Sequence, residues 1–184
     1  MAAFEEIVIT VAERLREADI PYMMTGALTV NYFGRPRLTH DIDIVGQISI
    51  NDIKRLRLIF EDIFFVDEHS IKIAISEKSM FSIIHKEEGV KVDFWILKGD
   101  EYNQKAFERR RWYPYQKIKI SLATPEDMII GKLEWYKMSG IEKHLEDASG
   151  IYYIQKDRLD LDYLEQWCRK KLVIDYLKKI RERR

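Results

Sequence analysis

The sequence predicts an α+β fold, in which a mixed sheet flanked by helices is followed by a small C-terminal helical bundle. Apolar runs typical of strands alternate with helical stretches up to residue 123. From Thr124 onwards the apolar residues recur only at helical spacing. We therefore expect an α+β domain over residues 1–123 and a C-terminal helical region over residues 124–184 that packs on it.

Several turns and caps define the elements of the first domain. Gly26 begins a helix that ends at Gly34, Asn51 is a plausible N-cap, and Glu88-Gly89 is a turn. In chain order the pattern predicts a helix at 3–18, a strand at 20–24, a helix at 26–34, a strand at 41–45, a helix from 52, strands at 71–75, 80–85 and 90–97, a helix at 103–111 and a strand at 117–123.

A helix start signal at Thr124 opens the second region. Thr124 is a suitable N-cap, Pro125 suits the first helical position, and Asp127 supplies an acidic residue at the third. Four helices are predicted from there, at 125–139, 141–154, 160–170 and 172–182.

The composition fits one globular domain, or one domain with a small appendage. The chain has 184 residues, of which 46% are hydrophobic. Lys+Arg and Asp+Glu both number 31, which argues against a generally basic nucleic-acid-binding surface. The single Cys168 excludes an internal disulfide and a cysteine-rich zinc site. One cysteine and no signal peptide lead us to expect a cytoplasmic protein. No apolar run approaches the roughly 20 residues that span a bilayer, so we expect no membrane association.

The stretch GRPRLTHDIDI, residues 34–44, places two carboxylates in an apolar strand. Asp41 and Asp43 face the same side, while Ile42 and Ile44 face the core. Two carboxylates on one face repel each other unless a cation lies between them, and Mg²⁺ takes one or two carboxylates together with substrate phosphates. The alternative, left open by this motif alone, is the solvated face of an edge strand.

A later apolar strand, KVDFW, carries a third carboxylate, Asp93, that can point to the same side. Three carboxylates on two neighbouring strands are a common way to hold two metal ions for phosphoryl transfer. The alternative is a strand-end residue paired with Lys91 or with an arginine. Asp41, Asp43 and Asp93 are thus the candidate catalytic and metal-binding residues, with Mg²⁺ or Mn²⁺ as the ion.

The tripeptide Thr25-Gly26-Ala27 lies between a predicted strand and a predicted helix. A glycine there lets backbone N–H groups and the positive end of the helix approach a phosphate. An ordinary turn is the alternative.

Taken together, strand–TGA–helix–GRPRLTHDIDI and the later VDF strand resemble the nucleotidyltransferase superfamily of the DNA polymerase β type over most of residues 5–123. The stretches TPEDMIIGKLEWY and EKHLEDASGI make the chain more closely similar to the small AbiEii/MenT-like toxin group. The resemblance implies a nucleotidyltransferase-like sheet and metal-dependent transfer of NMP from an NTP to a hydroxyl acceptor: RNA or tRNA, a protein or a small molecule. For the toxin group it also implies an antitoxin partner.

The resemblance implies nucleotide-binding residues as well. Besides the Thr25-Gly26-Ala27 junction they are Arg35, Arg37, Lys132 and Asp147, of which Lys132 would contact phosphates and Asp147 would support the site or act as a base. The alternatives are solvated loop arginines, an exposed helix lysine, and an Asp147 paired with Lys143 one helical turn away.

Ala27 departs from the family pattern, which has Gly or Ser after the first glycine. Alanine keeps the backbone N–H but offers no hydroxyl, so the departure bears on nucleotide affinity. This departure leaves open the alternative that the protein is a non-catalytic relative with a binding or regulatory role. A metal nuclease ranks last, because Asp93-Phe94-Trp95 lacks the acid–x–Lys pair that it needs. The basic and aromatic stretch over residues 108–115 is either a phosphate-backbone contact or a basic turn between a helix and a strand.

Overall fold

The computed structural model of the protein describes residues 2–182 and confirms the predicted α+β fold with a mixed sheet. The helices are α1 (Ala2–Glu17), α2 (Gly26–Phe33), α3 (Ile53–Phe60), α4 (Glu68–Glu77), α5 (Glu101–Arg109), α6 (Pro125–Ser139), α7 (Glu142–Gln155), α8 (Leu161–Lys170) and α9 (Ile174–Glu182). The strands are β1 (Tyr22–Met24), β2 (Asp41–Gly46), β3 (Phe64–Phe65), β4 (Met80–His85), β5 (Lys91–Ile96), β6 (Arg111–Tyr115) and β7 (Ile118–Leu122). Two 3-10 turns lie at Ile50–Asp52 and Lys156–Arg158.

The seven strands form one sheet in the order β3-β4-β5-β2-β1-β7-β6. The central strand β2 pairs in parallel with β5 and in antiparallel with β1. Ile42 and Ile44 on β2, and Val92 and Phe94 on β5, are fully buried. These apolar residues alternate with polar ones, so one face of the central strands belongs to the core and the other carries the carboxylates.

The chain divides into two compact units. One unit consists of the residues up to Leu28 together with Leu38–Leu122, and the other of Thr29–Arg37 together with the residues from Ala123 onwards. Most of α2 and the loop after it are therefore grouped with the C-terminal helices. The division into domains at residues 1–123 and 124–184 stays a proposal.

The predicted strand at 71–75 is wrong, because these residues lie in helix α4. Asp67 caps this helix by accepting hydrogen bonds from the N–H groups of His69 and Ser70. Ile71 and Ala74 are buried at a helical spacing of three, whereas Ile73 is 42% exposed. The alternating isoleucines matched a strand, but the cap and the burial are those of a helix.

Two strands and one cap differ from the sequence prediction. The basic and aromatic stretch over residues 108–115, for which a basic turn was one alternative, contains β6. This edge strand tolerates Pro114 because edge positions need not donate to the ladder. Strand β3, with two residues, was not predicted. Asn51 is not the N-cap of α3: it lies inside a 3-10 turn that Ser49 and Asp52 cap reciprocally.

The predicted start of helix α6 is confirmed. The hydroxyl of Thr124 accepts a hydrogen bond from the Asp127 N–H, and Pro125 occupies the first position of α6. The Asp127 carboxylate in turn accepts hydrogen bonds from the hydroxyls of Thr124 and Tyr163, both 2.7 Å long. This buried network ties α6 to α8. None of the helices within residues 2–182 has the length and apolar character needed to cross a membrane.

Candidate active site

The three predicted carboxylates lie on one face of the two central strands. In the parallel pairing of β2 with β5, Asp43 is aligned with Asp93 and Asp41 with Lys91. Aligned residues of a ladder project to the same side. Asp41 is exposed, Asp43 is half-buried and Asp93 is only 6% exposed.

Asp93 is held by two neighbouring side chains. The Ser82 hydroxyl, on β4, donates a 2.6 Å hydrogen bond to Oδ1, and the Lys91 Nζ lies 2.8 Å from Oδ2. The ion pair with Lys91 that the sequence allowed is therefore present. The hydrogen bond to Asp93, followed by the attraction of Asp93, Asp41 and Asp43, raises the pKa of Lys91 above its ordinary value, although desolvation opposes this. The ammonium thus lies in the field of all three carboxylates.

This donor set fits one divalent ion. Among residues 2–182, no group of three or more His, Cys, Asp or Glu side chains is arranged to hold a metal. Both oxygens of Asp93 already have protein partners. Asp41 and Asp43 share a face, and Mg²⁺ needs no more than one or two carboxylates when substrate phosphates complete its shell. Asp41 and Asp43 are therefore the residues that could hold one divalent ion, and Asp93 as a further ligand stays a prediction.

Gly26 makes room for Asp43. Its φ of +61° is in the left-handed region, and a Cβ added there would overlap the Asp43 carboxylate and lie 2.7 Å from its Cβ. The Thr25 N–H donates a 2.8 Å hydrogen bond to the Asp43 carbonyl. The junction that the sequence predicted to bind a phosphate therefore accommodates the Asp43 side chain. The Thr25 N–H already donates to the Asp43 carbonyl. Ala27 is buried in the first turn of α2.

Thr39 braces the entry into β2. Its hydroxyl donates a 3.1 Å hydrogen bond to the Asp41 carbonyl and accepts one of 3.4 Å from the Asp41 N–H. These contacts fix the backbone that carries Asp41.

The C-terminal unit brings together three other predicted residues. Asp147 accepts hydrogen bonds of 3.2 Å from both Nε and Nη2 of Arg37, and its Oδ2 lies 2.8 Å from the Lys132 Nζ. Lys132 and Asp147 are 8% and 7% exposed, so Lys132 is not an exposed helix lysine. In the described part of the chain these two cations, and not Lys143, are the partners of Asp147. The cluster therefore contains two cationic side chains and one carboxylate.

The contacts of Asp147 are those of a residue that supports this cluster. Burial by itself raises its pKa, but the hydrogen bonds from Arg37 and Lys132 outweigh burial and hold the pKa below its usual value. The carboxylate stays ionised, and both of its oxygens are occupied.

Two residues of this unit were missed by the sequence analysis. The Asn31 side chain donates to the Arg37 carbonyl at 2.7 Å and accepts from the Arg37 N–H at 2.8 Å, which fixes the loop that carries Arg37. The sequence does contain a signal for this contact, because Asn31 is a lone amide in the apolar run ALTVNYF. His144 stacks on Trp135, and burial, followed by the charge of Lys132, lowers its pKa.

Arg35 is separate from both clusters in its contacts. It is exposed, and its side chain packs against Gly150, where an added Cβ would lie 3.4 Å from the Arg35 Cγ. The predicted site residues thus form an acidic group in the first unit and an ionic cluster in the second, with Arg35 outside both.

The comparisons with known proteins bear on the fold. No protein-family model matches the chain, and no curated protein matches it. Among solved structures, the antibiotic-resistance factor ANT(2'')-Ia is similar at a TM-score of 0.62 and 12% identity over 92% of this chain and 91% of that one. An antigenic nucleotidyltransferase-like protein from Paracoccidioides brasiliensis has a TM-score of 0.59 and 16% identity, covering 91% of this chain and 87% of that one.

A third structure is the lincosamide antibiotic adenylyltransferase LnuA bound to lincomycin, with a TM-score of 0.51 and 14% identity over 78% of this chain and 95% of that one. The identities are low, so these similarities concern the fold, and the closer resemblance to the AbiEii/MenT-like group stays a prediction. These similarities in overall structure show that this chain has the nucleotidyltransferase fold.

Proposed function

We propose that this protein is a metal-dependent nucleotidyltransferase, which transfers NMP from an NTP to a hydroxyl acceptor. The observation that carries the proposal is the alignment of Asp43 with Asp93 on neighbouring parallel strands, with Asp41 on the same face. Carboxylates side by side on one sheet face repel each other, and an arrangement that keeps them there favours a cationic ligand.

Each residue of the acidic face has a role in this reaction. Asp41 and Asp43 would hold Mg²⁺ or Mn²⁺, which supplies positive charge to the triphosphate and lowers the pKa of the acceptor hydroxyl. Thr39 fixes the backbone of Asp41, and Gly26 leaves the space that the Asp43 side chain needs. Asp93 provides the third negative charge of the face, paired with Lys91.

The bond changes are those of an in-line substitution. The acceptor oxygen forms a bond to the α-phosphorus while the bond from that phosphorus to the bridging oxygen breaks. Pyrophosphate leaves, and the hydroxyl proton is lost to solvent. Most of the required acceleration comes from positioning and charge neutralisation.

We propose Arg37 and Lys132 as contacts for an anionic group such as the nucleotide phosphates, with Asp147 as the residue that positions them. The two cationic side chains that meet at Asp147 support this role. Thr25, Gly26, Ala27 and Arg35 stay proposals as nucleotide contacts. For Thr25 the hydroxyl is the relevant group, because its N–H already bonds to Asp43.

The acceptor is proposed at the level of its class. One similar structure is described as ANT(2'')-Ia in complex with adenylyl-2''-tobramycin, and another as a lincosamide antibiotic adenylyltransferase. Because of these descriptions, ATP is the first nucleotide to test. They also add support for a small molecule as one acceptor class, while RNA or tRNA and protein stay the other classes. A toxin role and an antitoxin partner rest on the sequence resemblance alone.

The test is nucleotide transfer. The protein is incubated with each α-³²P-labelled NTP, Mg²⁺ or Mn²⁺, and RNA, protein and small-molecule fractions of a cell extract. We expect label to reach one fraction, and we expect Asp41→Asn and Asp43→Asn each to reduce transfer about a thousandfold, since a metal site contributes several kcal/mol. Asp157→Asn, an exposed position outside the site, is the matched control. Absence of transfer with every nucleotide, from a folded protein, would favour the non-catalytic relative.

A further inference from the structure

A chain of contacts connects three side chains on the acidic face. Ser82, on β4, donates a 2.6 Å hydrogen bond to Oδ1 of Asp93, and Oδ2 of Asp93 lies 2.8 Å from Nζ of Lys91. Ser82 is aligned with Asp93 in the β4–β5 pairing, and Lys91 lies two residues before Asp93 on β5. All three side chains therefore project to the same side of the sheet.

The buried member of this chain is the carboxylate, and the exposed member is the ammonium. The Asp93 side chain is 9% exposed, whereas that of Lys91 is 41% exposed. Both oxygens of Asp93 have a partner, which fixes the orientation of the carboxylate, while a lysine ammonium is carried on a flexible four-carbon stem. Asp93 therefore anchors Lys91 at a defined place, and less side-chain freedom is left to lose when a ligand binds there.

The anchored ammonium lies beside the residues proposed to hold the ion. In the parallel pairing of β2 with β5, Lys91 is aligned with Asp41, and Asp93 with Asp43. Neighbouring strands are about 4.8 Å apart, so Lys91 and Asp41 project from adjacent positions of one face. A lysine ammonium has three N–H donors, so that it can bind Asp93 and an oxygen of a ligand together.

We propose that Lys91 is a binding residue for the triphosphate of the nucleotide, and that Ser82 and Asp93 position its ammonium. The inference rests on the proposed function, because an ion at Asp41 and Asp43 is what brings a triphosphate to this face. A triphosphate and three carboxylates are together strongly anionic, and one divalent ion leaves an excess of negative charge. The ammonium offsets part of this excess and gives the phosphate oxygens a charge-assisted hydrogen bond.

A lysine that acts only through its charge would behave differently. In that case, removal of the Asp93 carboxylate would make the face less negative and would tighten the binding of an anion. If Asp93 positions Lys91, removal of the carboxylate releases the ammonium into water and weakens the binding of the anion. The direction of the change in Asp93→Asn therefore separates a positioned lysine from a simple counter-ion.

The experiment is a calorimetric titration of the full chain with inorganic tripolyphosphate, at a constant excess of Mg²⁺ and without acceptor. Lys91→Met should weaken binding about tenfold, or about 1.4 kcal/mol, through the loss of a hydrogen bond between charged groups. Asp93→Asn should also weaken binding, and should have no further effect when it is added to Lys91→Met. Ser82→Ala should weaken binding by a smaller factor. Lys72→Met, an exposed position on α4, changes the net charge equally and should bind like wild type.

Equal affinity in wild type and Lys91→Met would overturn the inference, as would tighter binding in Asp93→Asn. A further loss in the double variant would show that Asp93 acts on the ligand other than through Lys91, which contradicts its positioning role. If circular dichroism shows that Lys91→Met does not fold, Asp93→Asn and Ser82→Ala decide, since two variants that bind at least as tightly as wild type contradict the inference. Failure of the proposed function looks different: tripolyphosphate would bind equally well without Mg²⁺, or in Asp41→Asn and Asp43→Asn.

Discussion

Gly26 meets two demands at once, one conformational and one steric. Its φ of +61° disfavours any side chain, and a Cβ would collide with Asp43. Gly89 has nearly the same conformation, with φ of +65°, but has no atom within 4 Å of an added Cβ. Comparing Gly26 with Gly89 therefore separates the conformational cost of a side chain from its steric cost, because of these two glycines only Gly26 has both.

We expect Gly89→Ala to lower the free energy of unfolding by about 1 kcal/mol, the cost of the left-handed conformation. Gly26→Ala should lower it by about 3 kcal/mol, because overpacking adds roughly 1–3 kcal/mol. Urea unfolding followed by circular dichroism measures both values. If both variants lost the same free energy of unfolding, Asp43 would move aside at no cost. That result would contradict the close contact between Gly26 and Asp43.

Asp147 forms ion pairs with both Arg37 and Lys132. We expect Asp147→Asn to lower the free energy of unfolding by about 3 kcal/mol at neutral pH, because it leaves the buried Lys132 ammonium without its ion-pair partner. Asp175→Asn, in an exposed pair with Lys178, should change it by no more than about 0.5 kcal/mol. Urea unfolding measures both variants, and equal effects would contradict the structural role of Asp147.

The same residue gives the stability a defined pH dependence. The pKa of Asp147 is lower in the folded chain than its ordinary value of 3.8, so the unfolded chain takes up the proton first as the pH falls. Its stabilising contribution is complete above pH 3.8 and is lost as the pH falls through the folded pKa. The difference in free energy of unfolding between wild type and Asp147→Asn should therefore shrink as the pH falls below 3.8.

Among the elements, the strands of the acidic face were predictable and helix α4 was not. In β2 and β5 the alternation of apolar and polar residues is unambiguous, because one face is fully buried and the other carries charge. In α4 three isoleucines at every second position imitate a strand, and the decisive signal is Asp67, which caps the helix through His69 and Ser70. Local hydrogen bonding overrode the apolar pattern there.

The candidate site was predictable as a set of residues but not as a set of contacts. The sequence motifs identified Asp41, Asp43 and Asp93. The hydrogen bond from Ser82 to Asp93 depends on the alignment of β4 with β5, which cannot be read from the sequence of either strand alone. The contact between Asn31 and Arg37 likewise depends on how the chain turns after α2. Lys91 was visible in the sequence as a partner of Asp93, and its alignment with Asp41 required the sheet.

At the scale of the whole molecule, the charge balance limits the acceptor. The chain has 31 basic and 31 acidic residues, and so provides no long-range attraction for a polyanion. Its central sheet face carries carboxylates, which repel phosphate chains unless metal ions neutralise them. Arg111, the last arginine of the basic stretch, lies at the start of β6, an edge strand of the sheet. This balance favours an acceptor smaller or less charged than a long RNA.

We therefore expect transfer at saturating NTP and limiting acceptor to fall by less than about tenfold between about 50 and 200 mM salt, whereas a protein making 6–10 phosphate contacts would lose roughly 10³–10⁵ in affinity. The measurement is the initial rate of transfer to the acceptor fraction that accepts label, with the concentration of the divalent ion held constant. A steep fall that becomes shallower in Arg111→Ala, but not in the exposed control Lys72→Ala, would contradict the expectation. In that case β6 would be the contact for a nucleic-acid acceptor, since removal of one phosphate contact reduces the salt slope by about one.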